Sequence, residues 1–270
     1  MSAEPDQLAE LLAAIQASKD YRNIDPDLVR KIGIQELTIR RNLREAVKAV
    51  KSRLHQVGGA YQPAQIPYAD WVRQLAELPG NLNDVRVKDF CAQALGWHAS
   101  TRERLPYLQE FYATLLQPLQ PITSLLDMAC GLNPLALPWM GLTPAAQYFA
   151  NEIYGDMIGF LTQFFNHVGQ PFQGTVTDLT EFVMTEPVDL VLLLKTLPCL
   201  EHLDKDIVRK LLTSIKARAC IVTFPARSLG GRSKGMPAHY EARFLPIAEA
   251  CGWQAERHLI GNELAFVLRR

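Results

Sequence analysis

The chain has 270 residues, 48% of them hydrophobic and 21% charged, with 28 basic and 28 acidic side chains for a formal net charge of zero. This composition is ordinary for a soluble globular protein. No apolar run approaches the ~20 residues of a membrane span, and the acidic start Met1-Ser-Ala-Glu-Pro-Asp6 lacks the basic and apolar regions of a secretory signal. Five scattered cysteines without a C-x-x-C pair point to free thiols in a reducing cytoplasm, and six histidines without an H-E-x-x-H cluster predict no metal.

Helices are expected up to about residue 117. Asp6 to Ser18 is a Leu- and Ala-rich amphipathic segment. Asp25-Pro26 sets a cap and a first-turn proline ahead of a helix through Leu37. The clearest helix is predicted from Leu37 to His55. There Leu43, Val47, Val50 and Leu54 recur at helical spacing as a buried stripe, and Arg40, Arg44, Lys48 and Lys51 recur on the adjoining face. Between Arg30 and Arg53 eight basic residues stand against two acidic ones, a positive stretch inside a neutral chain that directs attention to nucleic acid. Gly58-Gly-Ala-Tyr61 breaks the helix. Tyr68 to Leu78 and Asn83 to Trp97 supply two more, separated by Pro79-Gly-Asn81.

Beyond Pro118 and Pro121 strands and helices alternate. Strands are predicted at Ile122–Leu126, Gln147–Asn151, Phe172–Val176, Val188–Leu194, Ala219–Phe224, Trp253–Leu259 and Glu263–Leu268. Helices are predicted at Leu135–Met140, Tyr154–Val168, Asp204–Ala217 and Ala238–Ala250. Such alternation implies a mainly parallel sheet with helices on both faces, closed by an antiparallel hairpin at Gly261-Asn262. Five parallel strands plus a hairpin resemble the α/β, Rossmann-like seven-stranded plan of class I S-adenosylmethionine (SAM)-dependent methyltransferases. Here it follows an all-helical N-terminal domain, with the division at 1–97 and 98–270.

Four segments carry candidate chemistry. Asp127-Met-Ala-Cys-Gly-Leu-Asn-Pro134 reads as a strand, a glycine turn and a helix start, with Asn133 as cap. Gly131 there admits a ligand close to the backbone, although the segment is not a G-x-G-x-x-G fingerprint. Glu152 ends the second strand, where an acid meets ribose hydroxyls, and Asp178 ends the third, where an acid meets an adenine amine. Any one of Asp127, Glu152 and Asp178 reads alone as a cap or a solvated loop residue; together they suggest a nucleoside pocket. Lys195 follows the fourth strand, at the edge that faces substrate, without the Pro-Pro-aromatic motif of amine methylation. Phe224 to Met236 is a glycine-containing loop with Arg227, Arg232 and Lys234, read either as a solvated loop or as a phosphate grip. His98-Ala-Ser-Thr-Arg-Glu-Arg104 reads as a helix start capped by Ser100 or Thr101, with Arg102 and Arg104 available to pair a carboxylate.

On these segments, together with Ser18-Lys-Asp-Tyr-Arg22, Arg53-Leu-His55 and Gly59-Ala-Tyr61, the chain resembles the 16S rRNA (guanine-N7) methyltransferases of the Arm/Rmt aminoglycoside-resistance type. The resemblance implies methylation of N7 of guanine 1405 within the assembled 30S subunit; beside it, the free thiols point to the cytoplasm and a monomer is expected. The resemblance implies SAM as donor and S-adenosylhomocysteine (SAH) as product. It places Tyr61 and the run His98, Ala99, Ser100, Thr101, Arg102, Glu103 and Arg104 beside SAM, with Arg104 on the methionine carboxylate. It puts Ala129 and Gly131 at the turn, Glu152 on the ribose, and Asp178, Leu179 and Leu194 around the adenine. Arg40, Arg44, Lys48, Lys51, Arg227, Arg232 and Lys234 would contact RNA. Lys195 and Arg227 would position the target, with no catalytic base. The chain departs from relatives at Glu152, where they carry Asp, and at Ala226, Ser233 and Pro237.

Overall fold

The computed structural model describes residues 5–61, 65–226 and 236–270. Its first helices start where short polar side chains satisfy the free amides. After α1 (Pro5–Gln16), α2 (Pro26–Ile39) begins at Asp25, whose carboxylate accepts the Asp27 amide at 3.0 Å, with Pro26 in the first turn. α3 (Leu43–Val57) begins at Asn42, whose side-chain oxygen accepts the Glu45 amide at 3.0 Å.

That second cap splits the helix predicted from Leu37. α2 runs on to Ile39, residues 40–42 turn, and Arg40 falls outside α3. Its guanidinium bonds Glu36 at 2.8 Å, a buried acid that also takes Arg53 of α3 at 3.3 Å. Asn42 prefers to cap, because inside a helix its side chain competes with the backbone. The buried stripe of α3 is Ala46, Val50 and Leu54, with Leu43 and Val47 half-buried.

α4 (Tyr68–Ala76) and α5 (Val85–Leu95) follow, then α6 (Ala99–Arg104) and α7 (Leu108–Leu116). The sheet comprises β1 (Ser124–Met128), β2 (Gln147–Glu152), β3 (Phe172–Val176), β4 (Val188–Leu194), β5 (Ala217–Pro225), β6 (Gln254–Ile260) and β7 (Glu263–Arg269). Between the strands lie α8 (Leu137–Met140), α9 (Gly155–Val168), α10 (Leu197–Leu200), α11 (Ile207–Ser214) and α12 (Met236–Ala250). The strand order is β3-β2-β1-β4-β5-β7-β6. The first five pair in parallel, β7 runs antiparallel to β5, and β6 antiparallel to β7. No helix among the described residues is long and apolar enough to cross a membrane.

Strand alternation divides the core between the two faces. Leu190, Leu192 and Leu194 of β4 join a cluster that continues through α9 and α7 into the N-terminal helices, including Leu28, Ile32 and Val50. Val191 and Leu193 face the other cluster, with Leu211 of α11 and Phe244 of α12. One continuous apolar core therefore fixes the helical part against one face of the sheet. The chain order reverses between β1 and β4, and ligands of doubly wound sheets sit beyond the carboxyl ends at such a reversal. Both strands end there in left-handed backbone, at Ala129 (φ 50) and Lys195 (φ 58), the two non-glycine positions of positive φ among the described residues. Held strain of this kind concentrates at functional sites.

Candidate cofactor and target site

A cleft of about 830 Å³, counted to its open mouth, lies over those two strand ends. From the helical side Tyr61, His98, Ser100, Thr101 and Arg104 line it. From the strand ends come Ala129, Gly131, Glu152, Asp178, Leu179, Leu194 and Lys195. Three expected contacts are not part of its wall. Ala99 is buried, Arg102 is exposed, and Glu103 accepts a hydrogen bond from the Lys195 ammonium at 2.8 Å. Sequence reasoning missed Leu28 of α2, Val57 and Gly58 at the end of α3, and Tyr154 and Cys199. Leu28 lies on an apolar helix face, Val57, Gly58 and Tyr154 at helix ends and Cys199 within α10, and nothing in their spacing marks them as lining residues.

The glycine turn and Glu152 form one unit. Gly131 has φ +52, and a Cβ there would sit 3.0 Å from the His98 ring. Its amide donates to Glu152 Oε2 at 2.8 Å, and the Ile153 amide donates to Oε1 at 2.7 Å. These bonds leave lone-pair capacity on the carboxylate, so Glu152 can accept a ribose hydroxyl. Burial raises the Glu152 carboxyl above its usual range, opposed by the backbone amides of Gly131, Ile153 and Tyr154. His98 lies across the turn, its ring parallel to Tyr61 within 14°, and its buried Nδ1 has no partner among the described residues. Burial, then the charges of Arg104 and Lys195, lowers its pKa to about 4, so the ring is neutral beside the turn. A buried carboxylate at the end of β2, a turn without a Cβ and an unpartnered buried imidazole nitrogen fit SAM, a nucleoside that carries an amino acid.

Beneath the cleft runs a buried polar chain. Asp127, Thr223 and Glu263 lie on the helix-arm side of the sheet, at the edge where the parallel strands end and β7 begins. Arg104 reaches Glu263 through Nε at 3.1 Å and Nη2 at 2.7 Å, reaches Asn133 Oδ1 through Nη1 at 2.8 Å, and lies 4.5 Å over the Phe111 ring. Thr223 donates to Glu263 at 2.6 Å, and the Lys195 ammonium is 3.5 Å from the same carboxylate. Asn133 also accepts from Tyr112 at 2.5 Å and donates to Asp127 at 2.8 Å, and Tyr148 donates to Asp127 at 2.8 Å.

Two positions whose residue types predict caps do not cap. Asn133 does not cap the helix after the turn; its side chain joins Asp127 to Arg104, because both are buried and each needs a partner. Neither Ser100 nor Thr101 caps α6. The preceding residue is His98, and Thr101 donates back to the Leu95 carbonyl at 2.5 Å and the His98 carbonyl at 3.1 Å. Asp127 is also not in the cleft wall, unlike the other two strand-end acids.

The network makes stability depend on pH. Burial drives the Asp127 carboxyl up to about 7, against the opposing hydrogen bonds from Asn133 and Tyr148. An unfolded aspartic acid releases its proton near pH 4, so between about pH 4 and 7 the native state holds a proton that the unfolded chain does not. This contribution therefore stabilises the native state below pH 4 and is lost as pH rises toward 7. Asp127→Asn is expected to flatten that part of the profile in urea melts taken at intervals of pH. The same slope in variant and parent would show that Asp127 does not titrate there.

On the outer surface Arg44 and Lys48 are exposed and Lys51 is half-buried. None of them forms an ion pair among the described residues. Arg40 is held by Glu36. Arg227, Arg232 and Lys234 lie outside the described residues.

A parallel sheet of order 3-2-1-4-5 closed by an antiparallel β7, with this cleft over β1 and β4, defines a class I SAM-dependent methyltransferase. The chain belongs to the ribosomal RNA methyltransferase (FmrO) family, whose model matches residues 17–267. It is 38% identical over 271 aligned positions to a 16S rRNA (guanine(1405)-N(7))-methyltransferase of Micromonospora echinospora, covering 100% of this chain and 99% of that one. It is similar to the crystal structure of the 16S rRNA methyltransferase RmtF in complex with SAH, with TM-score 0.83, 30% identity and 99% of each chain covered. The 16S rRNA methylase RmtB gives TM-score 0.80 at 27% identity, covering 99% of this chain and 100% of that one.

Proposed function

We propose that this protein transfers the methyl group of SAM to N7 of guanine 1405 of 16S rRNA in the assembled 30S subunit, acting as a cytoplasmic monomer, and that it thereby confers resistance to kanamycin- and gentamicin-type aminoglycosides. The observation that carries the reading is the cleft over β1 and β4, where Glu152, Asp178 and Arg104 meet beside the glycine turn in a chain of the rRNA methyltransferase family. Residues 98–270 hold the donor, and residues 1–97 dock on rRNA while lending the cleft a wall through Leu28, Val57, Gly58 and Tyr61.

SAM supplies an electrophilic methyl on a sulfonium. Guanine N7 has a free lone pair, so no proton is removed before attack and no general base is needed. The chain's task is orientation, which contributes ~7–11 kcal/mol in favourable cases. Arg104 offers its remaining N–H groups to the methionine carboxylate, Glu152 holds the ribose, and Asp178 with Leu179 and Leu194 borders the adenine. Lys195 stands at the substrate-facing strand end. Its charge is balanced by Glu103 and Glu263, so the site adds no uncompensated cation near a sulfonium donor and a cationic product. The target base leaves its stack to reach the methyl. Arg44, Lys48 and Lys51, with Arg227, Arg232 and Lys234, track phosphates whose arrangement exists in the folded subunit, so 30S is preferred over protein-free rRNA.

Expression in a susceptible bacterium tests the reading. Resistance to kanamycin and gentamicin with sensitivity to apramycin is expected. Apramycin resistance, or no resistance at full expression, would overturn it.

A further inference from the structure

Asp178 is not held by its own loop alone. The Thr180 amide donates to its Oδ1 at 2.9 Å and the Thr180 hydroxyl to its Oδ2 at 2.6 Å. The ammonium of Lys31, 147 residues away on α2, reaches the same Oδ2 at 3.3 Å. Lys31 also donates to Thr180 Oγ1 at 2.6 Å and to the Glu181 carboxylate. One helical turn earlier, Leu28 on the same face of α2 lines the cleft. Leu28, Val29 and Ile32 are buried, which fixes the helix behind Lys31. Between Asn23 and Asp25 the chain is stitched to the loop after β2. The Asp25 amide donates to the Ile153 carbonyl and the Gly155 amide to the Asn23 carbonyl, both at 2.8 Å. The helical part thus grips the loops that follow both nucleoside-facing acids.

We propose that Lys31 is a positioning residue for the adenine end of the donor. It aims the Asp178 carboxylate at the exocyclic amine from outside the methyltransferase core. The assignment rests on the proposed role of Asp178 toward adenine. Asp178 has two oxygens and Thr180 reaches both, so the loop turn sets its general direction. Lys31 adds the one cationic partner of that carboxylate among the described residues, and it does so from a rigid helix. Without it the loop loses three polar contacts to α2, and Asp178 is free to rotate with Thr180. Lys31 is partly exposed, so its replacement leaves the core intact.

The test is calorimetry with two ligands, SAH and its purine analogue lacking the exocyclic amine, on the parent and on Lys31→Met, Lys31→Arg and Asp178→Asn. Lys31→Met is expected to weaken SAH about ten-fold and leave the analogue nearly unchanged, because only SAH uses the aimed carboxylate. Lys31→Arg is expected to restore most of the SAH affinity. Parent-like SAH binding by Lys31→Met, alongside weakened binding by Asp178→Asn, would overturn the assignment of Lys31 alone. Equal weakening of both ligands by Lys31→Met would overturn it as well, since that marks a general loosening of the loop. Parent-like SAH binding by Asp178→Asn would overturn the adenine reading itself.

Discussion

A Glu263→Gln variant is expected to melt about 6–20 °C below the parent and to lose most of its SAH affinity. Glu263 is fully buried and takes two hydrogen bonds from Arg104 and one from Thr223, with Lys195 at 3.5 Å. Burial alone would raise its carboxyl, but the charges of Arg104 and then Lys195 outweigh that and hold it below its ordinary value. Glutamine keeps the shape and removes the charge. It also turns an N–H group toward Arg104 or Thr223, both of which are donors there. Two cations then remain at 1% and 4% exposure with one shared counter-ion missing. Breaking a buried pair in this way costs about 3–5 kcal/mol, a large part of the ~5–15 kcal/mol that keeps a domain folded. Arg104 and Lys195 both line the cleft, so the same change disturbs donor binding. Differential scanning calorimetry with and without SAH reads both effects. A parent-like Tm would show that the buried pair adds nothing net to stability.

The double charge reversal Arg44→Glu/Lys48→Glu is expected to leave Tm and SAH affinity unchanged and to cut kcat/KM on 30S by at least ~100-fold. Each lost charge-assisted contact to phosphate accounts for about 1.5 kcal/mol or more, and the introduced acids add repulsion. The two side chains are exposed on α3 and carry no intramolecular ion pair among the described residues, so the fold does not depend on them. The same experiment on Arg40→Glu separates surface from structure. Arg40 bonds the buried Glu36, which Arg53 also approaches, so its reversal is expected to lower Tm. Methylation by the double variant at parental rate in moderate salt would remove α3 from the docking surface.

The sheet was legible because its signals are local. Phe172–Val176 and Val188–Leu194 are predicted and observed with the same bounds, and each opens directly after a proline, Pro171 or Pro187. β1 runs from Ser124 to Met128, two residues later than predicted. Its two ends pair with Gln147 and Asn151 of β2, partners that no local pattern shows. The acids at the ends of β2 and β3 could be placed because a doubly wound sheet brings the carboxyl ends of its strands to one edge. Glu263 could not. It opens the last strand with nothing around it to mark a site, and it matters only because an antiparallel β7 brings its first residue beside the last residues of β5, with Arg104 159 positions away. Asn133 and Thr101 show the same limit. Their residue types signal caps, and a cap is what a short polar side chain does when nothing else claims it. A buried acid claimed the first and a buried carbonyl the second. Lys31 belongs to the positive stretch by sequence and to the loop after β3 by contact.

The most direct test of the account is to methylate purified 30S subunits with this protein and SAM, then cleave the 16S rRNA with borohydride and aniline and map the breaks by primer extension. A single SAM-dependent break at guanine 1405, much weaker on protein-free 16S rRNA, is the predicted result. A break at another nucleotide, or none despite measured SAH binding, would contradict it.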